Sequence, residues 1–383
     1  MPIFKKLNLS FIIISGLFLF LLLYNNILLA QNFPLKIKRF TPEDGLPGSP
    51  MTKLVKDDLG FIWFGSWTGL YKYDGYKFTG YYHNPNDSLS LSNDWCLPYI
   101  DKSGNFWVGT MSGLDLFNSD LGTFNHYLHN PVDPNSISSG SVEYMYEDSR
   151  NRFWIGTSEG LNIFDRNSER FTRFLYDPKD TSTIYGNQIR SIFEDDKGTI
   201  WIGTGNPFTM ESPGCLNRFE EKTKTFSHYF IYPQDKSDWK NYVQVIHQEP
   251  DGKLWVTAWE GGFYSFNKKN GRFTPLPPLN YPVDKNRLGH YGITDIIEQP
   301  GTDILWISTF GGGLIRYNRF TKKSQHYLFD PNNRFTISDN RVWNIYTDDN
   351  GLLWIATHTG MDIADLSGKF PIYNSTCPFH EVL

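Results

Sequence analysis

A short tryptophan motif recurs seven times along the chain, and it constrains the fold more than any other feature. A turn rich in Asp and Gly is followed by an apolar residue, Trp, a second apolar residue and, in the fullest copies, Gly-Thr. The copies occupy residues 57–66, 101–110, 148–157, 195–204, 250–258, 300–309 and 348–357. Their tryptophans are Trp63, Trp107, Trp154, Trp201, Trp255, Trp306 and Trp354. The first and last are 291 residues apart, so the six intervals average 48.5 residues.

Each repeat contains the pattern of four short strands. In the third repeat an alternating segment, 142–146, precedes the Asp-containing turn, and the Trp strand follows it. A third strand at 160–164, a polar turn and a fourth strand at 171–175 complete the repeat. Four strands per 40–50 residues, repeated around an axis, are typical of a β-propeller. Apolar residues do not recur at helical spacing. The sequence therefore predicts an all-β fold, a single seven-bladed β-propeller with four-stranded antiparallel blades.

The seven repeated tryptophans are predicted to be structural blade anchors, because a large ring on the second strand can fill the wedge between neighbouring blades. The segment 37–40 resembles a fourth strand and precedes the first repeat, so it is expected to close the last blade. Residues 369–373 also resemble a fourth strand but have no place left in the ring. We therefore expect the propeller to span 36–373. Residues 374–383 would be a C-terminal tail or the start of a linker in a truncated chain.

The N-terminus predicts export. Lys5 and Lys6 precede an apolar run at 11–23, and Ala30 is a plausible cleavage site. The run is too short to cross a bilayer, which needs about 20 residues, and it suits a signal peptide at 1–30. The alternative is an uncleaved N-terminal anchor. In both cases the propeller would be periplasmic, and it would meet the membrane only through that N-terminus or through a segment missing downstream.

Composition excludes several classes of function. The formal net charge is −5 and no basic stripe stands out, so no nucleic-acid partner is expected. Cys96, Cys215 and Cys377 are far apart, which favours neither a disulfide framework nor a CxxC metal site. The nine histidines form neither an HxH nor an HExxH group. No metal and no cofactor are therefore expected.

The repeat resembles the two-component regulator propeller repeat. The motif D-x-x-G-x-[IL]-W-[IV]-G-T-x-x-G-L is matched at 148–161 except at Asn151 and Phe153, and it is nearly matched at 101–114 and 57–70. The fifth and sixth repeats depart from Gly-Thr, and the fourth carries an insertion at 205–214. The resemblance implies the periplasmic sensory part of a hybrid two-component system, often with two tandem propellers and commonly detecting polysaccharide breakdown products. No phosphoacceptor helix, ATP lid or receiver domain accompanies it in this sequence. We therefore expect a sensor module without its own kinase.

The five remaining tryptophans predict a binding face. Trp67 and Trp259 lie in turns between second and third strands, and Trp95, Trp239 and Trp343 lie where links enter first strands. In a propeller these positions share one face. Flat rings beside polar groups suit a saccharide. The candidate ligand-binding residues are Trp67, Trp95, Glu159, Arg190, Trp239, Trp259, Glu260, Phe310, Arg341, Trp343 and His358.

Three alternatives stay open for this face. Its rings would pack long loops onto the blades, or they would contact protein, such as a second propeller or a homodimer partner. A glycan lyase or hydrolase would need two carboxylates across one cleft. Glu159, Glu211 and Glu260 fall on the face, but their spacing does not pair them. The favoured function is therefore non-catalytic sensing of an oligosaccharide or another small ligand, with the enzyme and the protein-interaction scaffold as alternatives.

Overall fold

The chain folds into seven four-stranded antiparallel sheets that form a closed seven-bladed β-propeller, as predicted. The computed structural model describes residues 35–209, 212–259, 262–276 and 292–368. Two short 3-10 turns, Pro42–Asp44 and Trp239–Asn241, lie in loops. Within the described ranges, no helix has both the length and the hydropathy needed to span a bilayer.

Within blades 1–6 the strands follow one another in chain order from the channel outward. Blade 1 contains β2 (Met51–Lys56), β3 (Ile62–Ser66), β4 (Gly69–Tyr73) and β5 (Phe78–Tyr81). Blade 2 contains β6 (Cys96–Ile100), β7 (Phe106–Thr110), β8 (Gly113–Asn118) and β9 (Thr123–Leu128). Blade 3 contains β10 (Val142–Glu147), β11 (Phe153–Thr157), β12 (Gly160–Asp165) and β13 (Arg170–Phe174). Blade 4 contains β14 (Ile189–Glu194), β15 (Ile200–Thr204), β16 (Leu216–Glu220) and β17 (Thr225–Tyr229).

The second half of the ring repeats this order. Blade 5 contains β18 (Val243–Gln248), β19 (Leu254–Ala258), β20 (Phe263–Asn267) and β21 (Arg272–Pro275). Blade 6 contains β22 (Gly292–Glu298), β23 (Ile304–Phe310), β24 (Leu314–Asn318) and β25 (Lys323–Tyr327). Blade 7 contains β26 (Val342–Thr347), β27 (Leu352–Thr357), β28 (Met361–Asp365) and, as its outermost strand, β1 (Ile37–Phe40).

The N-terminal strand closes the ring, as the sequence predicts. β1 pairs antiparallel with β28, with Ile37 opposite Ala364 and Phe40 opposite Met361. Four consecutive ladder pairs thus join the two ends of the propeller. The candidate strand at 369–373 and the segments 1–30 and 374–383 lie outside the described residues.

The repeated tryptophans fill the wedges between blades. All seven are at most 5% exposed. Each belongs to a core cluster made chiefly by the next blade; Trp154 of blade 3, for example, packs with Ile189, Ile202 and Phe219 of blade 4. A ring that buries about 200 Å² contributes at most about 5 kcal/mol. The seven wedges therefore form the core of the ring.

The aspartates of the hairpin turns hydrogen-bond both to the turn backbone and to the tryptophan that packs between the blades. In blade 3, Oδ1 of Asp148 accepts hydrogen bonds from the backbone N–H groups of Arg150 and Arg152. Its other oxygen, Oδ2, accepts the indole N–H of Trp154 at 2.8 Å. The same indole–aspartate bond occurs in blades 1, 2, 4 and 7, over 2.7–3.2 Å. These aspartates therefore satisfy a buried indole N–H as well as forming the turn.

The close contact between neighbouring blades explains the glycine that lies two residues after the repeated tryptophan. A Cβ atom added to Gly65 would lie 2.0 Å from the backbone oxygen of Cys96 in blade 2. Gly156 faces Ile189 of blade 4 in the same way, with 2.5 Å to its side chain. Glycine at this position therefore allows the second strand of one blade to approach the first strand of the next.

Candidate ligand-binding face

One face of the propeller carries the loops between second and third strands together with the links that enter the next blade. Antiparallel strands place these segments at the same end of every blade, opposite the Asp-containing hairpins. We call this end the upper face. Candidate residues from distant repeats meet here because the ring arranges all seven blades about one axis.

Six rings form a continuous chain of contacts on the upper face, which we call the aromatic arc. It begins at Trp67 in blade 1 and ends at Phe208 in the blade 4 insertion. Ring centroids are 6.0 Å apart for Trp67–His358, 6.3 Å for His358–Trp343, 4.9 Å for Trp343–Phe310, 5.9 Å for Phe310–Trp259 and 4.8 Å for Trp259–Phe208. The arc therefore crosses blades 1, 7, 6, 5 and 4 in turn.

The members of the aromatic arc differ in exposure. Trp67 and Phe208 are 49% and 54% exposed, whereas Trp259 is only 8% exposed. Trp259 packs on the backbone of Gly292, where an added Cβ would lie 2.6 Å from the ring. Trp259 thus supports Phe208 and Phe310, and the two ends of the arc present most of the open ring surface.

The blade 4 insertion is anchored beneath Phe208. The backbone N–H of Gly205 donates to the Gln188 carbonyl at 2.9 Å, and Gln188 Nε2 donates to Thr209 Oγ1 at 2.7 Å. The Gln244 side chain donates to the Gly205 carbonyl at 3.1 Å. Polar side chains from blades 4 and 5 thus fix the position from which Phe208 joins the arc.

Polar groups border the arc in blade 7. The Arg341 guanidinium donates to both oxygens of Asp339, at 3.0 and 2.7 Å. His358 Nδ1 accepts from the indole N–H of Trp343 at 3.4 Å. Burial and the nearby Arg341 lower the pKa of His358, so its ring is neutral at pH 7. The border therefore offers a fixed ion pair and a neutral imidazole.

A second set of polar side chains lies on the first strands, around the central channel. Arg190 pairs with Glu143 at 2.7 Å and reaches Gln244 at 3.3 Å. The Lys53 amine lies 5.1 Å from the ring of Tyr99. Arg190, a candidate ligand residue, is thus held within a network of blades 3, 4 and 5.

Asp295 is a channel residue that the sequence analysis did not select. Its Oδ2 accepts from Asn344 Nδ2 at 2.6 Å, and Asn344 Oδ1 accepts from the Leu54 N–H at 2.9 Å. Burial raises the pKa of Asp295 to about 6, against the lowering effect of hydrogen bonds from the backbone N–H groups of Ile345 and Ile296, of Lys53 and of the Asn344 amide. The available signal was a charged residue inside a first strand, at a position where the repeats of blades 2 and 5 carry Leu97 and Val245.

The other candidates occupy separate places. Trp95 precedes β6 and is partly buried, with its backbone N–H bonded to Asn93 Oδ1 at 2.9 Å. Trp239 begins a 3-10 turn before β18, and Glu159 is exposed in the turn before β12. Glu260 and Glu211 lie outside the described residues. In the part of the chain that the structure describes, no three His, Cys, Asp or Glu side chains are grouped to hold a metal ion.

Sequence comparison matches three of the seven repeats to a known family. Residues 136–159, 186–206 and 336–359 match the family described as two component regulator propeller. Each match covers a link, a first strand and a Trp strand, so the resemblance inferred from the motif is confirmed. A histidine kinase from Formosa agariphila is 32% identical over 128 residues, which are 32% of this chain and 9% of that protein.

Solved structures share the fold. The extracellular domain of a putative hybrid two-component system from B. thetaiotaomicron superposes with a TM-score of 0.71 at 23% identity, over 86% of this chain and 42% of that one. Virginiamycin B lyase from Staphylococcus aureus superposes with a TM-score of 0.60 at 14% identity, over 86% and 98%. The chain thus shares its fold with both an extracellular two-component domain and a lyase, and it spans less than half of that extracellular domain.

Proposed function

We propose that this propeller is the ligand-sensing module of a two-component regulatory system and that it recognises an oligosaccharide at the aromatic arc. The observation that carries the proposal is the arc itself, which joins rings from five blades on one face. Rings with open faces favour the apolar faces of sugars, and polar groups at their border can bind hydroxyls. The location would be periplasmic, and the signal would pass to a histidine kinase rather than arise from a kinase in this module.

The charge at the arc favours a neutral ligand. Arg341 already pairs with Asp339 through two hydrogen bonds, and His358 is neutral at pH 7. A ligand carboxylate would therefore compete with Asp339 for the guanidinium. Sugar hydroxyls, in contrast, can add to this pair without breaking it.

Signalling would require two arrangements of the propeller and its partner. A second propeller or a homodimer partner seated on the upper face would bury Trp67 and Phe208, the most exposed members of the arc. A ligand bound at the arc transmits a signal only if its affinity differs between the two arrangements. Oligosaccharide binding should therefore change the association state or the partner affinity.

Binding to a glycan array, followed by calorimetry with the oligosaccharide that binds, tests the proposal. Trp67→Ala and Phe208→Ala should each weaken binding about two- to tenfold, since one ring contact contributes about 0.5–1.5 kcal/mol. Tyr76→Ala is the matched control, because Tyr76 is 96% exposed in a turn on the opposite face. An affinity that none of the arc variants changes would contradict the proposal.

The same samples separate a sensor from a glycan lyase or hydrolase. A sensor returns the bound oligosaccharide unchanged, as chromatography of the recovered ligand would show. Product formation that disappears in Glu159→Gln or Glu260→Gln would support the enzyme and refute non-catalytic sensing. Retention of a protein partner without any glycan binding would favour the scaffold instead.

A further inference from the structure

A second cavity lies away from the aromatic arc, at the outer edge of blade 4. Its volume is about 410 Å³, and the links on either side of blade 4 line it together with β17. Three aromatic side chains, Tyr176, Tyr185 and Phe230, form its walls, and Asp177, Asp180 and Lys236 are polar lining residues. We call it the rim cavity. Its volume falls within the range of about 300–1,000 Å³ typical of small-molecule sites.

The rim cavity arises where one link departs from the repeat. In three other links a serine (Ser92, Ser138 or Ser338) hydrogen-bonds through its side chain to the threonine of the Trp strand, at 2.7–2.9 Å. The corresponding residue before blade 4 is Tyr185. Here Thr204 Oγ1 donates to the Tyr185 backbone carbonyl at 2.5 Å instead. The backbone thus performs the structural role of the serine, and the Tyr185 ring is free to line the cavity.

The rings of the rim cavity surround Tyr185 on two sides. Its centroid lies 5.3 Å from that of Tyr176 and 5.0 Å from that of Phe230, both in edge-to-face geometry. Phe230 stands where three other links carry Leu128, Leu175 and Leu328, and where the link after blade 1 carries Tyr82. Two departures from the repeat, a tyrosine and a phenylalanine, therefore converge on one cavity. Packing of the links does not require this pair, since the links that flank blades 2 and 3 carry serine and leucine in these two places.

The polar lining sets the charge of the ligand. Asp177 and Asp180 each use Oδ1 for the turn of their own link, accepting from the N–H groups of Lys179 and Ser182. Lys236 is exposed, and its amine lies 5.1 Å from the Phe230 ring centroid. Two carboxylates and one amine give the lining a net negative charge. Carboxylates accept hydrogen bonds from hydroxyl groups but repel an acid.

From this arrangement we infer that the rim cavity is a second saccharide site, selective for a neutral pyranose and independent of the aromatic arc. The apolar face of the sugar packs on Tyr185 and Phe230. Its hydroxyls donate to Asp177 and Asp180 and accept from Lys236. An acidic sugar such as glucuronate is disfavoured by the two carboxylates.

Ligand-observed NMR on the whole purified protein tests the site, with the methyl glycosides of glucose, galactose and mannose as neutral probes and glucuronate as the acidic probe. We expect at least one neutral glycoside to bind with a Kd of about 1 mM and at least tenfold more tightly than glucuronate. Tyr185→Ser should weaken that binding at least tenfold. Because serine is the residue of three other links, this variant should keep the fold.

Further variants keep the result interpretable. Phe230→Leu restores the residue of other links and should weaken binding about fivefold, since it removes one ring contact. Trp67→Ala, in the aromatic arc, should leave the rim cavity unchanged, so failure of this inference is separable from failure of the proposed function. The inference is overturned if no neutral glycoside binds, if glucuronate binds as tightly, or if Tyr185→Ser and Phe230→Leu both leave the affinity unchanged.

Discussion

Asp362 carries a buried carboxyl group in β28, next to the strand that closes the ring. Its Oδ2 accepts hydrogen bonds from the backbone N–H and the hydroxyl of Ser338, at 2.7 and 3.0 Å. Within the described ranges its Oδ1 has no hydrogen-bond partner. Burial raises the pKa of Asp362 from 3.8 to about 7, despite the bonds from Ser338. Replacing this residue by asparagine therefore tests whether the carboxylate weakens the closing blade.

In two other blades the position equivalent to Asp362 is occupied by asparagine, which buries no carboxylate. Blades 3 and 4 carry Asn162 and Asn217, whose Nδ2 atoms donate to the carbonyls of Ile155 and Ile202 at 3.2 and 3.4 Å. Blade 7 pairs Asp362 with Ile355 in the same register. The Asp362→Asn side chain would thus keep the bond from Ser338 and donate a new one to the Ile355 carbonyl.

The expected size of the effect follows from linkage. The folded pKa of Asp362 lies above that of the unfolded chain, so its contribution to stability is complete below about pH 4 and is lost as the pH rises to about 7. A rise from 3.8 to about 7 corresponds to at most about 4 kcal/mol. Asp362→Asn should therefore match the wild type near pH 4 and exceed its unfolding free energy by about 2–4 kcal/mol at pH 8.

Urea denaturation followed by tryptophan fluorescence at pH 4.5, 6 and 8 measures this difference. Asp120→Asn, at an exposed aspartate, is the control and should show no comparable change. The reasoning is refuted if Asp362→Asn is less stable at pH 8, or if its difference from the wild type is the same at all three pH values.

Three further substitutions test the contacts that build the ring, each by the change in unfolding free energy. Asp148→Ala should cost about 1–3 kcal/mol, because it leaves the buried indole N–H of Trp154 without its acceptor. Gly65→Ala should cost about 1–3 kcal/mol, since its Cβ would overlap the backbone oxygen of Cys96. Ile37→Ala, in the closing strand, should cost about 2–5 kcal/mol through the cavity it leaves.

Matched controls separate these contacts from general effects of mutation. Asp74→Ala removes a partly exposed turn aspartate, Gly48→Ala adds a Cβ where the nearest atom is 4.0 Å away, and Leu89→Ala truncates a half-exposed side chain. Each should change stability less than its partner variant does. Equal losses in any pair would show that the specific contact does not account for the effect.

The fold was predictable because its information is local and repeated. Every repeat carries its own turn and its Trp strand, and the first four also carry a glycine at the close approach, so a spacing near 48.5 residues suffices to count the blades. The closing strand was predictable from the fourth-strand pattern at Ile37–Phe40. The bond from the Trp154 indole to Asp148 was not, because it depends on how the hairpin turns the two side chains toward each other.

The candidate site was predictable only in part. The sequence placed Trp67, Trp343 and His358 on one face, but it did not order them into a line of contacts. It also gave no sign that Trp259 is nearly buried against Gly292, since that contact joins blades 5 and 6. The rim cavity escaped notice because Tyr185 is an exception to the repeat rather than a part of it.

The sequence by itself thus determined the number of blades, the strands of each and the face that carries the aromatic residues. These properties follow from turns and alternation within about 50 residues. Only the tertiary structure decided which rings touch. Trp67 and His358 are 291 residues apart in the chain, and their centroids are 6.0 Å apart because β1 closes the ring on β28. Closure of the ring brings blade 7 next to blade 1. The contacts between these two blades are therefore set by the geometry of the blades rather than by local sequence.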